Sequence, residues 1–164
     1  MFRRCLVSLA PLKVGDSLPA AKFFVGIAQA KTTEELFANK RVLVLAVPGA
    51  FTPTCSKQLP DYVKDAPKLK AKFNVTDIYC LTRNDSFVND AWEKASNATG
   101  VVTLVSDPFG DFLAKSELKV SIPIFGEDRY ARFAAVVDNQ KVENLWVEPD
   151  GKGASCSLSD SLLK

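Results

Sequence analysis

From Val42 to Val47 the chain is apolar without a break, bounded by Arg41 and Pro48. Such a short run, rich in branched residues, predicts a strand buried on both faces, as in a parallel sheet. Upstream, Thr32 and Glu35 have the spacing of a capping box and predict a short helix over TEELFAN. Downstream, Leu59, Tyr62, Val63, Ala66 and Leu69 recur at helical intervals within Ser56 to Phe73. Pro60 and Pro67 interrupt that stretch, and an interior proline costs roughly 3 kcal/mol, so a kinked helix or two pieces is expected.

TDIYCLT (76–82) and VVTLVS (101–106) predict two more strands, with a helix over DSFVNDAWEKAS (85–96) between them. Strands separated by helices pair in parallel. Residues 131–148 break the rhythm: two β-rich runs flank Asp138-Asn139-Gln140 and predict an antiparallel hairpin, after which SLSDSLLK closes as a helix. The order predicts an α/β protein, a thioredoxin-like sandwich with a central mixed sheet flanked by helices. With 164 residues it fits one domain, residues 11–164, behind a short basic segment, 1–10.

Composition narrows the chemistry. Lys and Arg number 21 against 19 acids, a net charge of +2, which gives no pull toward nucleic acid or anionic lipid. No apolar stretch approaches the ~20 residues of a membrane-spanning helix, so a soluble protein is expected. There is no histidine, which removes Ser-His and Cys-His catalysis together with the commonest metal ligand. The 4 cysteines, at 5, 55, 80 and 156, form no Cys-x-x-Cys pair, so neither a zinc cluster, a disulfide scaffold nor a disulfide reductase is suggested. No cofactor or metal is expected. The opening MFRRCLVSL holds two arginines and no acid; it has the character of a mitochondrial presequence or of a basic tail, and Cys5 within it is given no role.

One cysteine stands apart. In LAVPGAFTPTCSK (45–57) a buried strand runs into Pro48 and Pro53 and then places Cys55 in the first turn of a helix. Unpaired amides and the helix dipole favour negative charge there, and a thiol so placed favours the thiolate, the form that reacts. A buried filler would need neither the prolines nor the helix start.

PGAFTPTCS, together with KVGDSLP, NDSFVNDAW, RYARFAAVVD and VEPDGKGASCSL, resembles the peroxiredoxins of type II, the peroxiredoxin-5-like class, over residues 11 to 164. The resemblance implies a thiol peroxidase that reduces hydrogen peroxide and alkyl hydroperoxides through a sulfenic acid on Cys55. It implies that Thr52 hydrogen-bonds the thiolate and the peroxide, that Pro48 shields the sulfur, and that Arg132 returns to the pocket from a distant strand. On paper Arg129 competes with Arg132, but on one alternating strand the two would face opposite sides.

The resemblance offers two resolving cysteines: Cys156, in a polar loop before the last helix, and Cys80, less favoured because it lies in an apolar strand. A glutathione-dependent cycle on Cys55 alone stays open. Thioredoxin or a glutathione/glutaredoxin system is the implied reductant and a homodimer the implied assembly, with Phe51 and the loop SIPIF (121–125) near the contact and Trp92 in the core. A non-enzymatic redox sensor or holdase using the same cysteine is the alternative. The spacing CSKQLP departs from the family, which has a histidine and one more residue before the proline, so a slip of the helix register around Gln58 is expected.

Overall fold

The computed structural model describes residues 10–164. The basic opening segment, its presequence character and Cys5 lie outside the described residues. Nine strands are described: β1 (Lys22–Val25), β2 (Gln29–Thr32), β3 (Arg41–Ala46), β4 (Asp77–Thr82), β5 (Thr103–Ser106), β6 (Lys119–Ser121), β7 (Asp128–Tyr130), β8 (Phe133–Asp138) and β9 (Lys141–Val147). The helices are α1 (Thr33–Phe37), α2 (Pro53–Phe73), α3 (Ser86–Ala95), α4 (Asp111–Ser116) and α5 (Ser159–Leu163).

Seven strands form one sheet in the order β2-β1-β5-β4-β3-β8-β9. The three central strands, β5, β4 and β3, are parallel, and β1, β8 and the outer strands run antiparallel to their neighbours. This is the mixed sheet expected from the alternation of apolar strands and helices. Asn139 and Gln140, with φ 45° and 68°, turn β8 into β9, the doubly left-handed geometry of a tight hairpin. The capping box is formed, with Thr32 Oγ1 accepting from the Glu35 amide and Glu35 Oε2 accepting from the Thr32 amide.

Successive residues of β3 feed opposite faces. Leu43 and Leu45 join Leu59, Tyr62, Leu69, Trp92 and Leu162 in one core, so α2, α3 and α5 cover that face. Val42, Val44 and Ala46 join Leu36, Phe37, Phe112 and Leu113 in the other, under α1 and α4. At about 25 cal/mol per Å² of apolar surface, these two layers supply the main driving force for folding.

The proline-interrupted stretch does not break in two: of the two forms expected, α2 is the single element, 21 residues running through both prolines. Pro60 and Pro67 lie two turns apart on its exposed face, where water can take the hydrogen bonds they remove, while Cys55, Leu59, Tyr62, Ala66 and Leu69 fill the buried face. One expectation needs correction: Arg129 and Arg132 do not share a strand, because β7 ends at Tyr130 in a separate two-stranded sheet with β6, and β8 begins only at Phe133. Their separation comes from that break, not from strand alternation.

Candidate active site

Buried β3 delivers the chain to Val47 and to Pro48, which is also buried. Phe51 then takes a left-handed φ of 60°, Thr52 caps α2, and Pro53 occupies its first turn, where a missing N–H costs nothing. Thr52 gives no side-chain cap, so the first amides of the helix keep their partial positive charge. Cys55 follows in that turn, wholly buried.

The two-residue break between β7 and β8, Ala131 and Arg132, brings Arg132 to the sulfur. Its Nη1 donates to Cys55 Sγ at 3.3 Å and to Gln58 Oε1 at 2.8 Å, and its Nε donates to the carbonyls of Gly153 at 2.9 Å and Lys152 at 3.3 Å. Arg132 is only 2% exposed, and among the described residues no carboxylate pairs with it. A buried cation without a counter-charge costs several kcal/mol. Of the partners it touches, only the sulfur can take a full negative charge. Arg129 stands elsewhere, 4.8 Å from the Phe125 ring centre and paired with Glu127 at 3.4 Å.

The Thr52 hydroxyl donates to the Gly49 carbonyl at 3.0 Å and not to Cys55, so the bond to the sulfur that the resemblance implies is not formed here; its lone pairs are left to accept from an O–H. The Phe125 ring lies against the same loop: a Cβ at Gly49 would come within 3.5 Å of its Cζ. Phe51 is exposed and packs at 6.5 Å on Trp92, which is in the core.

Gln58, the residue that marks the shorter Cys-to-Pro spacing, is buried on the same helical face as Cys55. Its amide oxygen accepts from Arg132, and its nitrogen donates to the Ser157 carbonyl at 3.0 Å. Tyr62, one turn further on, also donates to that carbonyl. Burial pushes the Tyr62 phenol well above its usual range, so it remains a donor.

The other two cysteines differ. Cys80 is in mid-β4 with no exposure, and burial pushes its thiol far up, with the nearby Cys55 adding to the rise and Arg132 opposing it. Cys156 is half-buried in the loop before α5, with its sulfur 3.5 Å from the Val147 carbonyl. Burial and then the Glu148 charge raise its thiol as well. Of the residues that the sequence singled out, the structure brings Arg132 onto Cys55 and sets Pro48 and Thr52 in the loop that leads to it; the sequence assigned no part in the site to Glu148, Tyr62 or Ser157, and Gln58 stood only as a departure. A glutamine three positions after the cysteine was the one local signal.

The Redoxin family matches residues 13–161. A peroxiredoxin of Rhizobium etli is 42% identical over 129 residues, spanning 77% of this chain and 70% of that protein. The structure of reduced Prx3 from Vibrio vulnificus in complex with hydrogen peroxide superposes with a TM-score of 0.86 at 37% identity, covering 93% of this chain and 97% of that one. Peroxiredoxin 5 from Alvinella pompejana gives 0.79 at 27% identity, covering 93% and 98%. With a buried cysteine at a helix start, an arginine on its sulfur and relatives of this kind across nearly its whole length, the chain belongs to the peroxiredoxins, the thiol-dependent peroxidases.

Proposed function

We propose that Cys55 is the peroxidatic cysteine for hydrogen peroxide and small alkyl hydroperoxides. One observation carries this reading: a buried arginine without a carboxylate partner donates to that sulfur. The thiolate attacks one peroxide oxygen, the O–O bond breaks, and the other oxygen leaves with a proton as water or an alcohol. Cys55 becomes a sulfenic acid. The fixed guanidinium stabilises charge growing on the leaving oxygen, the type of interaction worth most where water is excluded. Thr52 Oγ1 accepts from the peroxide O–H, and Pro48 keeps bulk water off the sulfur.

Resolution falls to Cys156. Its thiolate attacks the sulfenic sulfur, the S–S bond forms and hydroxide leaves as water. A dithiol of the thioredoxin type then reduces the disulfide. Cys80 is disfavoured because burial holds its thiol protonated. The exposed Phe51 and Ile124, the latter 87% exposed beside Phe125, support a homodimer contact near the site. Ile124→Asp should then shift the sedimentation coefficient toward the monomer.

The catalytic reading is tested with Cys156→Ser, which should keep one rapid turnover of peroxide per chain and lose dithiol-driven cycling. Undiminished cycling in that variant would remove Cys156 from the mechanism.

A further inference from the structure

Glu148, immediately after β9, is 2% exposed, and its carboxylate is spent on both sides of Cys156. Oε1 accepts from the Ser155 amide at 2.7 Å, the Ser157 amide at 2.9 Å and the Ser157 hydroxyl at 2.7 Å, while Oε2 accepts from the Ser155 hydroxyl at 2.6 Å. Hydrogen bonds to an ionised acceptor are the strong ones. The backbone of Glu148 is tied to the active site too, its amide donating to the Arg132 carbonyl at 3.0 Å. From the opposite side, Gln58 and Tyr62 hold the Ser157 carbonyl. A groove of about 370 Å³ separates the loop, at Ala154 and Leu158, from the first turns of α2, at Pro53, Thr54, Lys57, Gln58 and Asp61.

This arrangement fixes Cys156 in the reduced protein, with its sulfur turned to the Val147 carbonyl. Cys55 Sγ is fully enclosed against Arg132. For a disulfide the sulfurs must meet at bonding distance, so the loop must leave its dock. We propose that Glu148 is the positioning residue of the resolving step: its carboxylate latches the Cys156 loop, and release of that latch sets the rate at which the Cys55 sulfenic acid is closed into a disulfide. The latch therefore also sets how long the sulfenic acid stays open to a second peroxide, which oxidises it to sulfinic acid and is itself reduced to water. The inference rests on Cys156 as the resolving cysteine.

The test is rapid-quench mass spectrometry of the full chain after one equivalent of hydrogen peroxide, comparing wild type, Glu148→Gln and the pair Ser155→Ala with Ser157→Ala. Glu148→Gln should leave sulfenic acid formation unchanged and speed disulfide closure at least tenfold. It should also lower the yield of sulfinic acid under excess peroxide. Because the latch stabilises the reduced form, equilibrium against a dithiol should move about tenfold toward the disulfide, roughly 30 mV for this two-electron couple. The serine pair, which keeps the carboxylate and removes two of its donors, should show the same changes to a smaller extent and serves if Glu148→Gln fails to fold. Closure and potential unchanged in a folded variant would overturn the latch alone. Absence of any Cys55–Cys156 disulfide in the wild type would overturn the resolving assignment and the latch with it.

Discussion

Cys55 and Cys80 are both without solvent exposure, and both belong to the core cluster beneath α2. Residue type and burial do not tell them apart. Cys80 sits among ladder-paired neighbours in β4, opposite Leu45 of β3, and burial drives its thiol up. Cys55 has the same burial but sits at a helix start with Arg132 Nη1 3.3 Å from its sulfur. On the reading proposed for Cys55, the difference teaches that reactivity is made by what faces a sulfur: the same low-dielectric surroundings that silence a thiol strengthen a charge-assisted contact once a cation is fixed beside it.

The largest effect that would break this contrast comes from Cys55→Ser, which should abolish peroxide turnover in a coupled assay with a dithiol donor. Persistent turnover would hand the chemistry to another cysteine. Next is Arg132→Ala, which should slow the first oxidation of Cys55 by about 10²–10³-fold, the usual cost of removing a donor aimed at developing charge. Rapid-quench detection of the sulfenic acid gives that rate directly, and a change below tenfold would detach Arg132 from the reaction. Cys80→Ala should leave that rate as in the wild type and cost about 1–2 kcal/mol of stability, the mark of a small core filler, measured by denaturant unfolding.

The smallest effect is seen only in acid. Burial alone would raise the Glu148 carboxyl, but the hydrogen bonds from Ser155 and Ser157 overcome it and bring the group down from 4.5 to about 2. A carboxyl depressed in the folded state adds stability that is complete above its unfolded value and is lost as pH falls through the folded one. The Cys156 loop should therefore loosen between about pH 4.5 and 2, read by amide exchange at residues 155–157, and Glu148→Gln should flatten that profile.

The parts of the fold legible in the sequence are those with strong local periodicity. β3, β4 and β5 declare themselves by apolar runs, α3 by the helical stretch between two of them, and the β8–β9 hairpin by its turn residues. β1 and β2 do not, because they are four residues each, too short to show an alternation, and β2 is a largely exposed edge strand. α4 and the β6–β7 pair are shorter than a recognisable period. Within the site, Cys55, Thr52 and Pro48 lie in one contiguous motif and can be read locally. The parts played by Gln58 and Glu148 arise from contacts across about 100 residues or from a loop folding back on itself, and no local pattern encodes them.

The central claim is that Arg132 and the helix start make Cys55 the fast-reacting sulfur of the chain. Stopped-flow oxidation of the Cys156→Ser protein by hydrogen peroxide, followed by mass mapping of the modified residue, tests it most directly. The account predicts one oxygen on Cys55, none on Cys80, and a rate many orders of magnitude above that of free cysteine. Oxidation at the rate of an ordinary thiol, or first on Cys80, would contradict it.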